Sequence, residues 1–277
     1  MELSQLSFRH PQFDLQLASS LHQFGFAIVV DHPLDLGRVQ RIYRQWQDFF
    51  NQGLATQYLA DGSDQDGYYA LDLAERAKGY TQRDYKEYFQ FYSWGRCPES
   101  LRGDLSAYFD EATALGAIFL DHIALNLPAK VTASLSEPLQ SMISGSRQSM
   151  LRVTHYPPLR EGRAALRAAP HEDINLLTLL PAADGPGLEL KLRSGEWIEV
   201  PQRREQLIVN VGDMLQEATA GYLPSATHRV VASATHQRRQ SRMSMPLFLH
   251  PRPEVVLSQR YTAEGYLAQR LCELGVA

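Results

Sequence analysis

Apolar positions in the first half of the chain recur at helix spacing. Val39, Ile42, Tyr43, Trp46, Phe49 and Phe50 form one stripe, and Leu101, Leu105, Tyr108, Ala112, Leu115 and Phe119 form a second. Steps of three and four residues keep side chains on one face of a helix, so both stripes are predicted to pack into a core, aromatic rings included. Pro128 closes the second helical stretch. Further on the period shortens. From Met150 to Leu249, short apolar and β-branched runs alternate with turns such as Asp184-Gly185-Pro186-Gly187 and Ser194-Gly195, the pattern of an all-β segment. A closing helix is predicted over Tyr261 to Leu271. No repeat, low-complexity tract or linker is evident. The expected organisation is one unit over 1–277, with an N-terminal helical and α+β layer (1–146), a β core (147–250) and a C-terminal helical segment (251–277).

Composition narrows the partners more than the fold. A chain of 277 residues that is 44% hydrophobic can bury a sizeable core. Its formal charge of −4, without a basic stripe, gives no attraction to nucleic acid. The opening Met1-Glu2-Leu3-Ser4-Gln5 lacks a basic and then apolar leader, and no apolar run is long enough to cross a bilayer. The expectation is a soluble, cytoplasmic protein, monomeric or weakly homo-oligomeric. Cys97 and Cys272 stand far apart without metal-like spacing and read as ordinary reduced thiols.

The candidate chemistry lies in His171-Glu172-Asp173, a second histidine at His228, and the triplet Arg242-Met243-Ser244. In an extended strand, side chains two apart share a face, so His171 and Asp173 can meet one ion while Glu172 turns away. His228 follows Ser225-Ala226-Thr227 and begins a β-branched run, on a strand signal of its own. Two imidazoles and a carboxylate on one face of a metal leave the opposite positions open, as in non-haem Fe(II) oxygenases. The strand bearing Met150, Arg152, Thr154 and Tyr156 on one face can pair with the strand bearing Arg242 and Ser244, and an arginine fork matches a carboxylate at two points.

With these motifs, the chain resembles the isopenicillin N synthase-like family of Fe(II)/2-oxoglutarate-dependent oxygenases over nearly its whole length. The resemblance extends to Phe24-Gly25-Phe26-Ala27-Ile28-Val29 followed by His32, to Asp84-Tyr85-Lys86-Glu87-Tyr88-Phe89, and to Leu151-Arg152-Val153-Thr154-His155-Tyr156-Pro157-Pro158. It includes Gly187-Leu188-Glu189-Leu190, Gly195-Glu196-Trp197-Ile198-Glu199-Val200-Pro201 and Val209-Asn210-Val211-Gly212-Asp213. It implies a mainly β fold: a double-stranded β-helix, or jelly-roll, core with flanking helices. It also implies Fe(II) on His171, Asp173 and His228, and 2-oxoglutarate with its distal carboxylate on Arg242, Ser244 and Tyr156. Dioxygen is the oxidant, and the reaction oxidises, by default hydroxylates, an unactivated C–H bond of a small molecule while releasing succinate and CO2. The retained Asp173 argues against halogenation. Many members carry Asn where this chain has Thr154, whose hydroxyl can still join the co-substrate site or simply favour a strand.

Primary-substrate residues are less legible. Alternation puts Arg152 on the Tyr156 face, where it can meet an anionic group or pair with an acid in the helical layer. Tyr68 and Tyr69 follow Gly67 in a segment read either as a lid or as packing. Arg160, Arg163 and Arg167 are expected in a solvated loop. His155 is expected to turn away from the pocket, and His236, at a hairpin tip, and His250, at a strand end, to be exposed. His10, His22, His32 and His122 have no ligand context. Two other functions remain compatible with these residues: an oxidase or oxidative cyclase that needs no 2-oxoglutarate, and a noncatalytic metal-binding jelly roll.

Overall fold

The computed structural model describes residues 3–60, 65–73, 84–159, 166–232 and 235–274. In the first half, β1 (Gln5–Ser7), α1 (Phe13–Phe24), β2 (Phe26–Val30) and α2 (Leu36–Asn51) precede a 3-10 turn over Leu54–Tyr58. Then come β3 (Gly67–Tyr69), β4 (Glu87–Phe91), the long α3 (Glu99–Leu125) and the short α4 (Ala129–Thr132) and α5 (Leu139–Ile143). The Asp35 side chain starts α2 by accepting hydrogen bonds from the N–H groups of Gly37 and Arg38 at 2.8 and 3.1 Å. The six buried residues of α2 are those of its predicted stripe. On α3, all of the predicted stripe is buried except Leu101, which packs against the core from a partly buried position.

The second half supplies β5 (Met150–Tyr156), β6 (Leu166–His171), β7 (Leu177–Pro181), β8 (Leu188–Lys191), β9 (Trp197–Glu199) and β10 (Leu207–Val211). They are followed by α6 (Asp213–Ala218), β11 (His228–Val231), the one-turn α7 (Thr235–Arg238), β12 (Arg242–Ser244), β13 (Leu247–Leu249) and α8 (Ala263–Leu274). A nine-stranded sheet runs β1-β2-β10-β7-β13-β5-β4-β3, with β12 also on β5. A four-stranded sheet runs β6-β11-β8-β9. The two sheets form the expected jelly roll. Strands of the first half are built into it, because β2 pairs with β10 and β4 with β5. The large sheet thus runs across the 146/147 boundary. α7 stands where a hairpin tip was expected, and the His236 side chain lies outside the described residues.

Strand alternation divides the large sheet into two faces. Its outer face packs Val29, Phe89, Phe91, Val153, Leu179, Val209 and Leu247 against Trp46, Phe49, Leu115 and Phe119 of the helices. Its inner face turns Phe26, Ile28, Tyr156 and Ile208 toward Ala168, Leu188, Leu190 and Val230 of the small sheet. β2 is apolar at all five positions because both faces are covered. Among the described residues, no helix is long and apolar enough to cross a membrane. Both cysteines are free thiols, Cys97 buried and Cys272 exposed.

Gly187 fixes the approach of β8 to β11. Its φ is 111°, and a Cβ there would lie 2.0 Å from the Val231 carbonyl oxygen. Gly195 has φ 90° with nothing within 4 Å of a Cβ. Gly195→Ala is therefore expected to cost only the positive-φ strain, about 1–3 kcal/mol. Gly187→Ala adds a backbone clash and should cost clearly more. Urea denaturation of the two variants checks this, and equal losses would contradict it.

Candidate metal centre

β6 ends and β11 begins at the same cross-strand pair, His171 and His228. Their ring centroids are 4.3 Å apart. In each ring Nδ1 sits against the carbonyl two residues back, Ala169 O at 2.8 Å and Ala226 O at 3.0 Å. A neutral imidazole that donates Nδ1–H to a carbonyl presents its Nε2 lone pair, the arrangement of a metal-binding histidine. Asp173 lies beyond the end of β6, so strand alternation alone does not bring it to His171. The turn after β6 does, held by the Asp213 N–H donating to Asp173 O at 2.7 Å. Glu172 turns away and accepts from the Thr227 hydroxyl at 2.6 Å.

Asp173 Oδ2 accepts hydrogen bonds from the Thr178 hydroxyl at 2.7 Å and Asn210 Nδ2 at 2.8 Å. The Thr178 oxygen in turn accepts from Asn175 Nδ2 at 3.0 Å, which commits its hydrogen to the carboxylate. Oδ1 is left facing His228, 3.8 Å from Nε2. One ligand atom from each of His171, Asp173 and His228 lies within 4.8 Å of the other two. Burial would raise the Asp173 carboxyl, but the two imidazoles and the bonds from Asn210 and Thr178 outweigh it and hold it below its ordinary value. Burial, reinforced by His228, pushes His171 down to about 4. The set is an anionic carboxylate oxygen and a neutral imidazole beside His228, a donor set that fits a divalent ion of the Fe(II) type.

The predicted clamp residues meet on the inner face. β12 pairs with β5 in the register Arg242 to Tyr156 and Ser244 to Thr154. Arg242 is only 2% exposed. Its Nε donates to Gly185 O at 3.0 Å, and its guanidinium lies 5.2 Å from the centre of the Tyr156 ring. Among the described residues it has no salt bridge. Arg167 is not the solvated loop residue expected: it lies in β6, is 2% exposed and donates to the carbonyls of Gln237, at 3.1 Å, and Gln240, at 2.5 Å. Arg160 and Arg163 lie outside the described residues.

The substrate candidates are divided by the sheet. Tyr69 is stacked on Tyr88, ring centroids 4.8 Å apart, while Arg152 lies with its guanidinium 4.4 Å from the Tyr88 ring. Tyr68 points the other way, into the helical core, with its hydroxyl on Glu87. His155 likewise turns outward, 2.8 Å from Glu87 Oε1 and stacked on Phe50. His250 departs from expectation. The β13 alternation turns it inward, its Nδ1 is buried without a hydrogen-bond partner, and burial pushes it down to about 4 against the pull of Asp173 and with the help of the Arg152 charge.

Sequence reasoning missed the parts that Asn210 and Thr178 play in holding Asp173. Asn210 left a trace, as the one amide in the otherwise apolar β10. Asp84 and Lys86 were noted only as part of a pattern. They form a buried ion pair at 2.8 Å, and Asp84 Oδ1 accepts the Ala169 N–H at 2.9 Å, tying the chain before β4 to the strand that ends at His171.

Residues 147–251 match the family model of the 2OG-Fe(II) oxygenase superfamily, and residues 2–105 match an N-terminal model described as non-haem dioxygenase in morphine synthesis. The 2-oxoglutarate-dependent dioxygenase ucsF of Acremonium sp is 31% identical over 255 residues, 79% of this chain and 74% of that protein. The 2-oxoglutarate-dependent dioxygenase 11 of Oryza sativa subsp. japonica is 27% identical over 256 residues, 88% of this chain and 68% of that one. A crystal structure of a Shewanella oneidensis protein described as an oxygenase has a TM-score of 0.91 and 42% identity, with 100% of both chains covered.

Two variants probe the centre. His228→Ala removes one of three donors and is expected to abolish stable metal binding. Asn210→Ala leaves the donors in place but frees Asp173 to rotate, so affinity should fall roughly 10–100-fold. Anaerobic equilibrium dialysis with Fe(II) measures both, and full stoichiometry in His228→Ala would contradict the assignment.

Proposed function

The chain belongs to the 2OG-Fe(II) oxygenase superfamily and is a 2-oxoglutarate-dependent dioxygenase, and on that premise we propose that His171, Asp173 and His228 hold its Fe(II) while Arg242, Ser244 and Tyr156 hold the distal carboxylate of 2-oxoglutarate. Thr154 supplies a further hydroxyl beside Ser244. Bound Fe(II) supplies the redox chemistry by which 2-oxoglutarate, dioxygen and a substrate C–H give succinate, CO2 and a C–OH, one oxygen atom going to succinate and the other to the product. Hydroxylation of a small molecule is the reading adopted for this chain.

The observation that carries the clamp is the burial of Arg242, whose Nε donates to a carbonyl, whose guanidinium lies by a phenol ring, and which feels the Asp184 carboxyl without forming a salt bridge to it. A buried guanidinium is costly unless an anion meets it. A co-substrate carboxylate answers that need, and the Ser244 and Tyr156 hydroxyls provide donors beside it. The apolar side chains packed with Tyr156, among them Ile28, Leu188 and Ile208, keep water from this end of the site. Asp173, with one oxygen already committed to Thr178 and Asn210, offers the other to the metal, which fixes where the reacting end of the co-substrate can sit. The primary substrate then has the remaining inner face, along Arg152 and Tyr69.

Arg242→Met keeps bulk and removes the fork, so the 2-oxoglutarate affinity is expected to fall roughly tenfold or more, in line with losing a hydrogen bond from a charged group. Iron binding should survive. Anaerobic titration calorimetry of the Fe(II)-loaded protein measures it. An unchanged affinity would remove Arg242 from the clamp.

A further inference from the structure

The motif Asp84-Tyr85-Lys86 lies against the least regular part of the strand that ends at His171. β6 is the edge strand of the small sheet, so β11 is its one ladder partner. That ladder slips twice. His171 pairs with His228, Ala168 with Val230 and Leu166 with Val231, which leaves Ala169 and Pro170 in one gap between matched pairs and Arg167 in the other. Pro170 has no N–H to give to a ladder in any case. Yet the Ala169 carbonyl is the group that meets the His171 Nδ1, at 2.8 Å.

The open edge of β6 is closed by the chain that leads into β4. The Tyr85 N–H donates to Arg167 O at 3.0 Å, and the Ala169 N–H donates to Asp84 Oδ1 at 2.9 Å. Lys86 Nζ lies 2.8 Å from Asp84 Oδ2, which leaves Oδ1 turned to Ala169. Asp84 is 8% exposed and Lys86 6%. Taking both charges out of water is expensive, and an apolar pair of similar bulk often packs as well or better. What the carboxylate adds is direction: it holds the N–H side of Ala169, and the following proline keeps that residue extended, so the Ala169 carbonyl is aimed at the His171 ring.

Resting on the assignment of His171 to the metal in the functional reading above, we propose that Asp84 is a positioning residue for that ligand. Through the backbone of Ala169 it fixes the carbonyl that orients the His171 imidazole, and Lys86 in turn fixes Asp84. The His228 imidazole rests on the Ala226 carbonyl at 3.0 Å, on a separate segment, and provides an internal reference.

The test compares two double variants that both remove the buried cation. Asp84→Asn with Lys86→Met keeps an oxygen that accepts the Ala169 N–H, whereas Asp84→Leu with Lys86→Met fills the space with apolar groups and offers none. In anaerobic equilibrium dialysis with Fe(II), the leucine form is expected to bind about tenfold more weakly than the unaltered protein and the asparagine form to lose about threefold or less, the low end of what support of a metal ligand contributes. Proton NMR of the Co(II)-loaded proteins adds a readout that general loosening does not give. Each bound imidazole has its own paramagnetically shifted Nδ1–H line, and in the leucine form one line is expected to move and exchange faster with water while the other stays. Should the leucine form fail to fold, Asp84→Ala with Lys86→Met replaces it with the same expectations. Unchanged Fe(II) affinity without the acceptor, equal weakening of both double variants, or equal change in both lines would overturn the proposal and leave the ligand assignment standing. Full Fe(II) stoichiometry in His171→Ala would overturn that assignment and the proposal with it.

Discussion

The hydrogen bonds that Thr178 and Asn210 donate to Asp173 Oδ2 join the two sheets at the metal centre. Asp173 follows the last strand residue of the small sheet, whereas Thr178 and Asn210 stand on neighbouring strands of the large one. A buried carboxylate without donors would be strongly disfavoured, and each bond to a charged group contributes about 1.5–3 kcal/mol. Those bonds also settle its rotation. With Oδ2 occupied, Oδ1 is the oxygen that faces His228, and the two Nδ1 contacts to carbonyls do the same for the imidazoles. The site is shaped by what its outer atoms are committed to.

The same alternation orders the inner face of β5. Tyr156 and Thr154 of β5 lie across from Arg242 and Ser244, while Arg152 of the same strand lies across from Gln90. The period of two places all three on the inner face, and the strand rise sets the spacing between the two cations.

Local pattern was enough to read much of this from the sequence. The stripe of α2 is buried as its spacing requires, and the register of β12 on β5 follows from alternation in two short segments. What could not be read depends on contacts distant in the chain. His250 stands before a proline at a strand end, a setting that usually means exposure, and only its place beside β5 and β7 turns it inward. Arg167 looked like one of three loop arginines, yet it belongs to β6 and its guanidinium meets carbonyls about seventy residues further along. Asp173 was assigned to a strand face, whereas a turn anchored on Asp213 brings it to His171. The joining of β2 and β4 to the large sheet could not be foreseen from the helical period that dominates their surroundings.

The most direct measurement of the central claim is anomalous diffraction at the iron absorption edge from crystals grown anaerobically with Fe(II) and 2-oxoglutarate. The account predicts one iron peak bonded by Nε2 of His171, Oδ1 of Asp173 and Nε2 of His228, with the distal carboxylate of 2-oxoglutarate on Arg242 and Ser244. Iron bound elsewhere, or 2-oxoglutarate with its distal carboxylate on Arg152 and Arg242 left buried without it, would contradict the account.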